Sequence, residues 1–310
     1  MASDQHPIIW LHHAGQHLGL LPSLGGGVAA WQLDMPTGAP QASQGRLDLW
    51  RPWAGDTDRY SLACFPMLPW SNRISAGGFD HDGVHHPLNP NRQAEPYPIH
   101  GDGWLQAWQL RQSAPDTLEM TLDSQAFAGD PYHYQAMQRF VLREGGMDQT
   151  LLVTHTGRHA LPYGIGLHPW FLRTPETRLT TQAKGVWLSG ADPLPIQHTT
   201  EFPPGWDPRS GMQVNGSLVD NAYTGWCGQA SITWPEHQLE MTIDVPDIQK
   251  RGLSDGYFLL YRPPAGQAFC FEPVSHPIDA FHLAGQPGLR VLHTGESLSM
   301  QVEWRFKVRH

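Results

Sequence analysis

At 310 residues the chain is long enough for a substantial hydrophobic core, and 20 Lys+Arg against 29 Asp+Glu give it a formal charge of −9. Scattered cations on an acidic chain exclude nucleic acid and anionic membrane surfaces as expected partners. No stretch nears the roughly 18 apolar residues of a membrane span, and the first residues lack the basic-then-apolar pattern of an export signal, so a cytoplasmic location is expected.

Taken in chain order, the first notable feature is Gly25-Gly26-Gly27. It lacks the GxGxxG spacing and following helix of a dinucleotide site, so no such cofactor is expected. Next, the apolar approach Phe65 to Trp70 runs into Ser71-Asn72-Arg73-Ile74. An arginine beside buried sequence needs partners, either ligand hydroxyls or a carboxylate, and a structural ion pair explains it equally well. Asp82-Gly83 signals a hairpin turn and places His81, His85 and His86 on exposed strand ends.

His100 lies in Pro96-Tyr97-Pro98-Ile99-His100-Gly101-Asp102-Gly103-Trp104, where Pro and Gly fix the path of the backbone. A histidine held this way can reach into a cleft. His155 and His159 have an i, i+4 spacing, but Gly157 between them argues against the helix that would make them a metal pair. In Gly166-Leu167-His168-Pro169-Trp170-Phe171, a second histidine is fixed between glycine and proline. The proline-rich stretch Asp192 to Pro208 reads as a long surface loop, either a lid or an inert excursion. Asp220 begins an Asp-Asn pair that is also an ordinary turn signal.

Glu272 ends the apolar run Phe269-Cys270-Phe271 and precedes Pro273. Partial desolvation would raise its pKa and suit it to accept a proton near neutrality. Cys64, Cys227 and Cys270 are an odd number without CxxC spacing, so neither a disulfide framework nor a thiolate metal site is expected. No HExxH or EF-hand pattern occurs. Most of the 13 tryptophans are expected between packed sheets, although rings of this kind also stack on sugar faces.

Period-two alternation recurs at Leu118-Met120-Leu122, at Leu239-Met241-Ile243-Val245 and at Leu298-Met300-Val302-Trp304-Phe306. Glycine and proline turns separate such runs, and no long 3.6-period apolar face appears. The pattern predicts an all-β chain: one continuous domain over residues 1–310, a large antiparallel β-sandwich with few short helices.

As an ordered set, Gly25 to Ala29, Phe65 to Ile74, His100-Gly101 with Trp104 and Trp108, Gly166 to Phe171, Asp220 to Trp226 and Phe271 to Ser275 resemble the aldose 1-epimerase (galactose mutarotase) family. The resemblance implies the galactose mutarotase-like supersandwich and a cofactor-free interconversion of α and β anomers of a small-molecule aldose, by a monomer or homodimer. By motif position it implies Glu272 as general base, His168 as general acid and His100 as a polarising group. It likewise implies Arg73, Asn72, Asp220 and Trp170 as substrate-binding groups. Asp102 stands where a second glycine is usual and Trp170 where tyrosine is usual, which places the chain nearer a divergent bacterial branch.

Two alternatives remain. A hexose-6-phosphate 1-epimerase would need cations for the phosphate, with Arg73, Arg92 and Arg173 as candidates by neighbourhood. A non-catalytic carbohydrate-binding protein would keep the aromatics without needing the acid and base.

Overall fold

The computed structural model describes residues 6–35, 45–93, 95–250 and 256–308. Two large sheets dominate, one of 12 strands and one of nine. Helix among the described residues is limited to Pro246–Lys250 and four single 3-10 turns. The predicted all-β architecture is therefore observed.

The nine-stranded sheet contains the three strands whose alternation was visible in sequence. Ser297–Val308 lies between Gly146–His155 on one side and Leu239–Asp244 on the other, all antiparallel. Its residues alternate between buried and more exposed along most of its length, as expected when one face packs on a partner sheet and the other meets water.

In the 12-stranded sheet the central strand is Ala268–Val274, buried on both faces. It pairs with Gly256–Arg262 on one side and with Gly166–Leu167 and Trp170–Leu172 on the other. Between the sheets sit edge-to-face aromatics, with Trp50 against Trp304 at 5.3 Å and Trp31 against Trp50 at 5.1 Å. Nine of the 13 tryptophans are buried, so packing accounts for most of them.

Two local expectations hold. Gly78–His81 and Val84–Pro87 form the hairpin turning at Asp82-Gly83, both with positive φ. His155 lies in a strand, with its ring nitrogens on the Tyr163 hydroxyl and the His159 carbonyl. One expectation is corrected: Asp192 to Pro208 is not loop throughout, because Pro195–Thr199 is a strand paired with Gly185–Ser189. It is the outermost strand of the larger sheet, a position where proline is tolerated because one side of the strand makes no ladder bonds.

Candidate active site

Strand register brings the two most informative motifs together. Trp170 pairs with Cys270, Phe171 with Phe269 and Gly166 with Val274, so the same register sets His168 opposite Glu272. Side chains alternate along a strand. Phe171, Phe269 and Phe271 consequently join the inter-sheet core, while His168, Trp170, Cys270 and Glu272 share the other face. The row continues outward, since Cys270 pairs with Tyr261 and Tyr261 with Asp220.

Gly166 is required by this close approach. A Cβ there would lie 2.7 Å from Val274 Cγ1 and 3.0 Å from the Pro273 carbonyl oxygen. Beyond it, His168 N–H donates to the Phe65 carbonyl at 3.0 Å. His168 Nε2 then sits 3.5 Å from Glu272 Oε1, both residues almost fully buried. Among the described residues neither His168 Nδ1 nor Glu272 Oε2 has a hydrogen-bond partner.

His100 arrives from a different part of the chain, on a turn clasped to the Asn72 loop. Its N–H donates to the Asn72 carbonyl at 3.0 Å, and Asn72 N–H donates to His100 Nδ1 at 3.1 Å. Both residues have positive φ, 53° and 60°, a strained choice for side chains larger than glycine. Because a backbone N–H can only donate, Nδ1 must accept and the ring proton lies on Nε2. Gly101 follows at φ 66°, where a Cβ would fall 2.1 Å from the Leu68 carbonyl oxygen. The Asn91 amide brackets the turn, accepting from Ile99 N–H and donating to the carbonyls of Ile99 and Gly101.

Asp102, the departure from the usual glycine, faces away from this chemistry. Its carboxyl accepts from the Tyr134 hydroxyl at 2.6 Å, Ser124 Oγ at 2.9 Å and the Gln106 amide at 2.7 Å. It anchors the histidine turn to the neighbouring sheet.

Arg73 is held by a bidentate pair to Glu95, at 3.0 and 3.1 Å, with Asp220 Oδ2 at 3.3 Å from Nη1. Asn72 Oδ1 accepts from the Arg73 N–H and from Nη1. Arg73 thus meets both the cleft and a structural ion pair, and the two readings of it coincide. His100, His168, Glu272, Arg73, Asn72, Asp220 and Trp170 all line one cleft of about 460 Å³. That volume suits a monosaccharide-sized ligand.

Further residues lining this cleft carried no sequence signal, Arg51, Tyr60 and Glu95 among them. Arg51 lies over the Trp170 ring at 3.9 Å and donates to the carbonyls of Tyr60 and Leu62. Trp170 stacks on His168 at 5.5 Å, His168 on Phe65 at 4.5 Å and Phe65 on Trp104 at 5.4 Å. The imidazole plane is therefore fixed by a continuous stack. Arg92 lines the cleft mouth above the Tyr60 ring. Arg173 does not reach the cleft: its guanidinium donates to the carbonyls of Gly266, Pro263 and Val214.

Burial sets the protonation of the pair. It lowers His168 to about 3, aided by the charge of Arg51. It raises Glu272 well above the usual carboxylate range, aided by Asp220 and opposed by Arg73. His100 is pushed well below its ordinary value by burial and by neighbouring His168 and Arg73. It is therefore a neutral Nε2–H donor at physiological pH.

An aldose 1-epimerase family model matches residues 15–305. The chain belongs to the aldose 1-epimerase family. The uncharacterised protein YphB of Escherichia coli K12 is 33% identical over 252 residues, covering 78% of this chain and 84% of that protein. A crystal structure of a candidate aldose 1-epimerase from the same organism superposes with a TM-score of 0.87 at 28% identity, over 97% of this chain and 99% of that one. A galactose mutarotase-like protein from Clostridium acetobutylicum shares the fold, with a TM-score of 0.81 at 16% identity over 98% and 96% of the two chains. No helix among the described residues is long and apolar enough to cross a membrane.

Proposed function

We propose that this member of the family is an aldose 1-epimerase that interconverts the anomers of a free aldohexose. The observation that carries the reading is the buried His168–Glu272 pair at 3.5 Å, set in a monosaccharide-sized cleft beside the neutral donor His100. Opening a hemiacetal requires a base at the anomeric hydroxyl and an acid at the ring oxygen within reach of one ring.

One proton shared by the pair satisfies both needs. Burial places that proton on Glu272 in the empty cleft; once it has passed to His168, Glu272 takes the anomeric hydroxyl proton while His168 protonates the ring oxygen, and the bond from C1 to the ring oxygen breaks. The aldehyde results, Glu272 is now neutral, and His168 is neutral. Rotation about the C1–C2 bond presents the other carbonyl face, and the same transfers in reverse close the ring as the opposite anomer. Burial favours a neutral acid beside a neutral imidazole, which is the state of the pair when the sugar is open. His100 Nε2–H donates to the anomeric oxygen as it gains carbonyl character, and Arg73, Asn72 and Asp220 hold the remaining hydroxyls.

Polarimetry tests the proposal directly. Catalytic protein should accelerate the change in optical rotation of freshly dissolved α-glucose or α-galactose; binding without acceleration would leave a carbohydrate-binding protein instead. Arg92 at the cleft mouth favours one second reading, a sugar bearing a 6-phosphate. Comparing glucose with glucose 6-phosphate in the same assay separates them.

A further inference from the structure

Beneath the pair lies a group that anomerisation does not use. Cys270 precedes Glu272 by two residues on the same strand face, and it is the register partner of Trp170. Its thiol is fully buried. One ligand atom from each of His168, Cys270 and Glu272 lies within 4.8 Å of the others.

We propose that these three side chains form a site for a thiophilic divalent cation of the Zn²⁺ class, and that such a cation shuts the cleft by taking the place of the shared proton. Geometry supports it first. Zinc bound by nitrogen and oxygen at about 2.0–2.2 Å in a tetrahedron sets neighbouring ligand atoms about 3.5 Å apart. That matches the 3.5 Å between His168 Nε2 and Glu272 Oε1. The sulfur needs an inward shift of order 1 Å, within the reach of a χ1 adjustment.

Unmet bonding capacity supports it next. Among the described residues Glu272 Oε2 is buried without a hydrogen-bond partner, an expensive condition for a polar atom, and a cation held by the carboxylate relieves it. Charge closes the case. Binding breaks the S–H bond of Cys270 and displaces the proton shared by His168 and Glu272, both released to solvent. The +2 ion with one thiolate and one carboxylate is then neutral, which suits a buried position. Imidazole, carboxylate and thiolate leave a fourth position toward the cleft for water or a sugar hydroxyl, while softer sulfur ligation selects against Mg²⁺ and Ca²⁺.

The inhibitory consequence rests on the epimerase reading; occupancy of the site does not. Two measurements therefore keep the failures apart. In the first, Co²⁺ is titrated into the purified full chain and followed by absorption. One equivalent should produce the intense visible bands of a tetrahedral ion together with a thiolate-to-cobalt charge-transfer band. Cys270→Ala should abolish the charge-transfer band, Cys270→Ser should do the same with little change in volume, and Cys227→Ala, altering a cysteine elsewhere, should retain it. Absence of the band in the parent protein, or its persistence in both Cys270 variants, overturns the site.

In the second, Zn²⁺ should lower the apparent kcat for the sugar, because a metal-loaded site has neither its acid nor its base free. Cys270→Ala should turn over sugar at the parent rate while resisting Zn²⁺ at least about tenfold better. Equal sensitivity of the variant and its parent overturns the inference. A cobalt band in a protein that does not accelerate mutarotation leaves the site standing and removes the epimerase reading.

Discussion

Glu272→Gln separates catalysis from architecture. The residue is 2% exposed with Oε1 3.5 Å from His168 Nε2, and an amide reproduces its shape but cannot take the anomeric proton. Loss of a positioned base costs roughly 10²- to 10⁴-fold in turnover, which is about 2.7–5.4 kcal/mol of barrier. Stability should move the opposite way. Burial raises the folded pKa of Glu272 above the unfolded value of 4.5. The folded state thus keeps a proton that the unfolded state gives up as pH rises through and beyond 4.5. Wild type loses stability over that range and the glutamine variant does not, so its melting temperature should gain on wild type between about pH 4 and pH 8. Polarimetry with fresh α-anomer gives the rate, and calorimetric melting at the two pH values gives the second quantity. A variant turning over within about fivefold of wild type would refute the base assignment. A variant that loses ground to wild type as pH rises would refute the buried, proton-holding carboxyl.

His168→Asn should also lower turnover by about 10²- to 10⁴-fold while sugar binding, followed by calorimetric titration, survives. Gly101→Ala should destabilise the fold by about 2–4 kcal/mol in urea melts, because it combines a left-handed backbone with a Cβ against the Leu68 carbonyl; an unchanged midpoint would contradict the clasp around His100. His276 accepts from Ser71 N–H and is lowered to about 4 by burial, from an ordinary 6.5. Its contribution to stability is complete above 6.5 and is lost as pH falls through 4, by roughly 3 kcal/mol. A pH series of denaturant melts on wild type and His276→Gln should show the slope between 6.5 and 4 reduced in the variant.

Residues whose backbone is constrained were the ones legible in sequence. His168 between glycine and proline, His100 before glycine and Glu272 at the end of an apolar run each announced a placed side chain, and all three meet in one cleft. What sequence could not supply was the register setting residue 168 opposite 272, since the strands are separated by roughly a hundred residues and pairing at that range has no local signature. Arg51 and Glu95 were silent for a related reason: each acts through a partner distant in the chain, Trp170 for one and Arg73 for the other. Asp102 read as a departure from the family pattern and proved to be an anchor on Tyr134 and Ser124. The strand Pro195–Thr199 was hidden by Pro195 and the prolines around it, which signal a loop unless the strand lies at an edge.

The positions of Ala268–Val274 and Ser297–Val308 have a consequence for how the protein is made. Each is the strand that joins otherwise separate parts of its sheet, and each is synthesised after the strands it joins. A nascent chain that stops short of Ala268 therefore holds unjoined part-sheets with raw hydrogen-bonding edges, the kind of surface that recruits other chains. Each sheet can close only after the ribosome has delivered its own keystone, and Glu272 travels on the first of them. The end of chaperone demand and the onset of activity should accordingly coincide, with both set by the arrival of these late strands rather than by the early, locally paired hairpins.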